Sequence, residues 1–269
     1  FAYSLLTRSQ RISHENLRLR DAAYVGSFED WLAQRAGLKV QGVPPMFTPF
    51  TLRGVTLKNR VVVSPMAQYS AVNGVPGDHH LVHLGARAMG GAGLVFCEMT
   101  CPSPDARITP GCPGLWNDAQ QAAWTRIVDF VHGHTSAKIA MQLGHAGAKG
   151  STRVPWAGED LPLTAGNWPL LSASPQQYLD GVSAWSRAMT RADMDRIRDD
   201  FVASTKRAIA AGFDWLELHC AHGYLLSAFL VFFASHLSGF WIIIANSWMQ
   251  TPAGYAIEGG RAVLKDFLA

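Results

Sequence analysis

From Met46 onward, short apolar runs alternate with stretches whose apolar positions recur every three or four residues. Val61–Val63 is a β-branched run, and a helical stretch follows from about His80 to Met89. Gly93–Glu98 predicts a second strand, and a helix over about 118–133 carries Trp124, Ile127, Val128 and Val131 at helical spacing. Lys138–Leu143 predicts a third strand. After a long loop, Thr190 to Asp193 reads as a capping box for a helix with Ile197, Phe201, Ala208 and Ile209 on one side and Gly212 at its end. Phe213–His219 predicts a fourth strand. Strands separated by amphipathic helices mean parallel βα units, hence a doubly wound sheet or a (β/α)8 barrel. No GxGxxG follows the first strand, which counts against a dinucleotide-binding sheet. In a barrel the chemistry sits where strands end. Those ends are polar or unusual here: Ser64 to Tyr69, Glu98 to Thr100, Gln142 to His145, and His219 to Tyr224.

The flanks are organised differently. Ser13 reads as the N-cap of a helix, and Ser27 to Asp30 as a capping box opening a second, short helix that Gly37 stops. Residues 1–36 are therefore expected to be a helical unit, 37–45 a Gly/Pro-containing linker, and 46–228 the βα region. No Asp, Glu, Lys or Arg lies between Glu217 and Glu258, and Phe229–Trp248 is a 20-residue uncharged run. That is long enough for a transmembrane helix; a buried core helix or two buried strands is the alternative.

A 269-residue chain that is 48% apolar supports a globular core. Its net charge of +3, evenly spread, points to no nucleic-acid or anionic-membrane partner, so membrane association depends on the 229–248 segment being genuine. Cys97, Cys101, Cys112 and Cys220 form no CxxC pair, which predicts reduced thiols in or near the core and a cytoplasmic setting. The chain opens without Met and without a signal peptide, and is expected to begin inside a longer protein.

Taken alone, His219 and His222 at a strand end suit a metal half-site, structural histidines, or a pair of donors aimed at one point. His79, His80 and His83 lack a partnering Cys or carboxylate set, so no metal is expected there. Gln142 is either a solvated amide or a ligand contact offering donors and an acceptor.

The segments 46–70, GLVFCEMT, RITPGCPGLWND (107–118), IAMQLGHAG (139–147) and FDWLELHCAHGYLLSAFL (213–230) resemble, in order and spacing, Old Yellow Enzyme-type flavin reductases. The resemblance implies the N-terminal half of a (β/α)8 barrel with an FMN cofactor, NADPH or NADH as reductant, and a small-molecule ene substrate. Residues 1–38 are similar to the end of the hydroxylase part in two-part salicylyl-CoA or aminobenzoyl-CoA hydroxylase-reductases. By this likeness the backbone of Ser64, Pro65, Met66 and Ala67 lies along the isoalloxazine ring, Met99 meets its edge, and Gln142 bonds its pyrimidine end. Tyr69 reaches a substrate oxygen, His219 and His222 hold that oxygen, and Tyr224 donates a proton to the α carbon. His145 is expected to contact substrate or nicotinamide. Family members commonly have Arg where Ala148 stands, and several have Cys at the position of Ala67. The family's phosphate site and an arginine near flavin N1 come from strands five to eight. Residues 235–255 instead resemble cytochrome bd quinol oxidase subunit I, so the chain is expected to be a fragment joined to a foreign apolar segment, 229–269.

Overall fold

The computed structural model describes residues 18–230. The described chain opens in helix at residues 18–20; helix α1 (Ala22–Arg35) follows, and its N-cap is Asp21, whose carboxylate accepts the Tyr24 N–H. This corrects the expected start at Ser27, which lies inside the helix and bonds back to the Tyr24 carbonyl. A serine in mid-helix can satisfy itself on the preceding turn, so an S-x-x-D pattern alone does not mark an N-terminus. Gly37, in left-handed backbone at φ 72°, ends the helix as expected. The helix expected from Ser13 begins outside the described residues.

Next comes a hairpin that the hydrophobic pattern did not reveal. Strands β1 (Phe50–Leu52) and β2 (Val55–Leu57) pair antiparallel around Arg53 and Gly54, both at positive φ, the geometry of a tight hairpin turn. The hairpin closes one end of the sheet, where Leu57, Leu94, Phe96 and Ala140 are buried together with Phe50, Val55 and Trp215 against them. Asn59 and Arg60 tie this end down. Asn59 bonds the Gly91 carbonyl and the Val61 amide, and Arg60 bonds Thr48.

The βα units follow: β3 (Val62–Val63), α2 (Asp78–Met89), β4 (Leu94–Phe96), α3 (Asp118–His134), β5 (Lys138–Leu143), a short pair β6 (Leu171–Ser172) and β7 (Arg187–Ala188) in the long loop, α4 (Arg191–Ala210) and β8 (Trp215–Leu218). Strands β3, β4, β5 and β8 form one parallel sheet in that order. Alternation divides its side chains between two faces. Val95, Ile139, Met141 and Leu143 meet Trp124, Ile127, Val128 and Val131 of α3 and Ile197 and Phe201 of α4 in the main core. Leu94, Phe96 and Ala140 occupy the other face, and by the same period Glu98, Gln142 and Glu217 follow them towards the C-terminal end. Helix α4 carries the expected capping box, Thr190 with Asp193. Ile209, expected on its buried side, is instead 70% exposed, because the buried stripe runs Ile197, Phe201, Ser204, Ala208 and Ile209 lies one residue off it.

Asp214 locks the start of β8 to β5. Its carboxylate accepts from Lys138 Nζ at 2.8 Å, His132 Nε2 at 2.7 Å and the Ile139 N–H at 3.0 Å. Among the described residues no helix is long and apolar enough to cross a membrane. The apolar run 229–248 lies outside them from residue 231 onward.

Candidate active site

The histidine pair is assembled by a turn at the end of β8. The His219 N–H extends the ladder to the Leu143 carbonyl, and the chain then reverses through His222 and Gly223, both at positive φ. His222 Nδ1 thereby comes to 3.1 Å from His219 Nε2, with ring centroids 4.9 Å apart. His219 Nδ1 accepts the Ala221 N–H, so its proton sits on Nε2 and is donated to His222 Nδ1. The remaining proton of His222 is on Nε2, and this residue is exposed. Burial, and then the neighbouring His222, bring the His219 pKa down to about 4, so the ring is a neutral donor at ordinary pH. Tyr224 is buried against the pair, its ring 4.6 Å from that of His219 and 5.9 Å from that of His222. Burial raises its pKa, with Tyr69 and Cys112 adding to the effect, which keeps the phenol protonated.

The segment after β3 forms a second wall. Ser64, Met66 and Ala67 are exposed and Pro65 is half-buried. Among the described residues, the N–H groups of Met66 and Ala67 have no hydrogen-bond partner. Tyr69 sits in left-handed backbone at φ 49° and packs on the cluster of Met99, Cys101, Cys112, Ala146 and Tyr224. Its pKa too is raised, by burial first and then by Cys112, Asp160 and Glu98.

Between these walls lie Gln142 and Glu217, directly paired in register and hydrogen-bonded through Gln142 Nε2 and Glu217 Oε1. Burial raises the Glu217 pKa, while the bond from Gln142 opposes it. Met99 is buried against Gly144, where an added Cβ would come within 2.5 Å of its sulfur. The donor set fits the ring of a flavin. A primary amide offers both donor and acceptor to a pyrimidine edge, and the two unpaired amides on an exposed segment suit the polar atoms of the central ring.

The structure thus brings Tyr69, His219, His222 and Tyr224 together at the strand ends, with Gln142 on β5 and Met99 beyond the end of the adjacent β4. The other described histidines lie outside this group. His145 is buried, 1% exposed, with Nδ1 accepting the Gly147 N–H and Nε2 without a hydrogen-bond partner among the described residues. His79 bonds the Gln68 side chain and stacks with His83. His80 is buried and bonded to Glu98, a pair to which the motifs had assigned no role. A carboxylate at the end of a wholly apolar strand was the signal that could have found it. Lys149 bridges Asp160, at 3.2 Å, and the face of Tyr178, at 4.8 Å, beside the histidine turn; nothing in the local pattern announces that contact.

A model of the NADH:flavin oxidoreductase / NADH oxidase family matches residues 45–237. The chain is 40% identical over 220 residues to an NADH:flavin oxidoreductase of Gibberella zeae, which covers 80% of this chain and 52% of the relative. It is 38% identical over 188 residues to an NADPH dehydrogenase of Bacillus cytotoxicus, 69% of this chain and 49% of that one. Among solved structures, an old yellow enzyme homologue from Zymomonas mobilis matches with TM-score 0.58 and 29% identity over 68% of this chain and 50% of its own. Morphinone reductase in complex with tetrahydroNAD matches with TM-score 0.57 and 29% identity over 68% and 51%. The chain spans about half the length of the curated relatives it matches. A model of cytochrome bd terminal oxidase subunit I matches residues 213–269, overlapping the first match; the described part of the overlap forms β8, the turn of the histidine pair and the start of a helix at residues 225–230.

Proposed function

Because the chain belongs to the NADH:flavin oxidoreductase / NADH oxidase family, we propose that residues 46–228 supply the substrate-anchoring half of an FMN-dependent ene-reductase site in a (β/α)8 barrel. Its reductant would be NADPH or NADH, and its substrate an activated C=C of an unsaturated carbonyl. The observation that carries this is the convergence of His219, His222, Tyr224 and Tyr69 at the C-terminal strand ends beside Gln142. Gln142 and the backbone of Ser64, Pro65, Met66 and Ala67, with Met99 behind them, would hold the flavin ring. When bound, FMN supplies the hydride chemistry.

The chain's own residues do the rest. His219 Nε2–H and His222 would turn from each other to the substrate oxygen, stabilising the charge that gathers there as the β carbon is reduced. His219 already carries its proton on Nε2 and is neutral, so it need not gain a proton first. Tyr224, kept protonated by burial, would deliver its phenolic proton to the α carbon, and Tyr69 would add a contact to the same oxygen.

The likeness of residues 1–38 to hydroxylase-reductases extends the substrate class to a dearomatised aryl-CoA. A second reading, a half barrel fused to a membrane-derived tail and without activity, is favoured by the match over residues 213–269. Flavin retention separates the two. The test joins the C-terminal half of the Bacillus cytotoxicus NADPH dehydrogenase after Leu230. The product is expected to bind FMN and to reduce enones with NADPH, and Tyr224→Phe to slow enones more than quinones. A folded but colourless product would overturn the reading.

A further inference from the structure

The site's wall at residues 66–70 is held by one carboxylate lying behind it. Glu98, 4% exposed, accepts the Gln68 N–H at 2.7 Å and the Tyr69 N–H at 3.3 Å through Oε2. Its other oxygen, Oε1, lies 3.0 Å from Nε2 of His80, which is 2% exposed. His80 Nδ1 accepts the Gly77 N–H at 3.1 Å, so its ring proton is on Nε2 and is donated to Glu98. Three donors therefore converge on the carboxylate, and both of its oxygens are used. The loop it holds is not at rest by itself, since Tyr69 occupies left-handed backbone that side chains seldom adopt. Gln68 is further fixed by its Nε2 bond to the Met66 carbonyl and by His79.

We propose that Glu98, braced by His80, is a positioning residue that holds Tyr69 in the conformation packed against the cluster of Tyr224. This rests on the reading of Tyr69 as a substrate contact but acts through the backbone, so the two can be tested apart. A carboxylate is needed because an amide has a single acceptor end. In Glu98→Gln either the loop amides or His80 would face an N–H, and His80 cannot shift its proton without opposing the Gly77 amide.

The experiment measures hydrogen exchange of the Gln68 and Tyr69 amides in the 15N-labelled chain, with the Met141 amide of β5 reporting global stability, together with the ring resonances of 13C-labelled tyrosine. Glu98→Gln is expected to speed exchange at Gln68 and Tyr69 roughly tenfold or more, and to move the Tyr69 ring signal, with Met141 still protected. Should that variant fail to fold, His80→Gln, which keeps a donor facing Oε1, is expected to retain the slow exchange while His80→Ala loses it. Slow exchange and an unmoved Tyr69 signal in Glu98→Gln, or identical behaviour of the two His80 variants, would overturn the proposal. Loosened amides in a protein whose ligand contacts prove independent of Tyr69 would instead sink the Tyr69 reading and leave Glu98 as the anchor of the loop.

Discussion

Replacing His145 by Asn should make the chain less sensitive to mild acid. His145 is 1% exposed, and burial brings its pKa from 6.5 to about 4, with Asp105 only partly opposing. Above pH 6.5 the ring is neutral in both folded and unfolded chains, and proton uptake contributes nothing to stability. As the pH falls below 6.5 the unfolded chain takes up a proton that the folded chain refuses, so stability is lost until the folded pKa is reached. The full loss corresponds to about 3 kcal/mol, and about 2 kcal/mol of it is incurred by pH 5, before most carboxylates titrate. His219 falls to about 4 as well and contributes a second loss over the same range. The Asn carbonyl can accept the Gly147 N–H as Nδ1 does, without titrating. Urea unfolding followed by tryptophan fluorescence at pH 7.5 and pH 5 measures the difference directly. The variant should lose about half as much stability between the two as the parent chain. An equal loss in both would refute the assignment of a neutral buried ring at this position.

Two further outcomes are expected. In the flavin-loaded chimera, His219→Ala or His222→Ala should weaken phenolate-type ligands by about tenfold or more while NADPH reduction of the flavin changes less, because each removes one donor to the oxyanion; stopped-flow measurement of the two half-reactions checks this, and equal loss in both would argue against an anchor specific to the ene substrate. Asp214→Ala should cost about 2–3 kcal/mol in urea unfolding, since it strips Lys138, His132 and the Ile139 amide of one largely buried partner; a change under about half a kcal/mol would mean that the latch between β5 and β8 is idle.

Local pattern was enough for much of this protein. The four parallel strands and the three helices between them were legible because period, capping residues and stop glycines act over a few residues; the Thr190 and Asp193 box and the Trp124 to Val131 stripe stand where the pattern put them. The histidine pair was legible for the same reason, as a tight turn three residues long brings His219 and His222 together whatever surrounds it. Where two local signals compete, the pattern alone did not choose between them: Asp21 rather than Ser27 caps α1, and Ala208 rather than its neighbour Ile209 joins the buried stripe. Contacts between distant residues were decided only by the fold. Glu98 meets His80 across 18 residues because α2 packs back against β4, and Gln142 meets Glu217 across 75 because parallel pairing of β5 and β8 sets them in register. The near-complete burial of His145 is likewise a consequence of packing that no spacing of residues encodes.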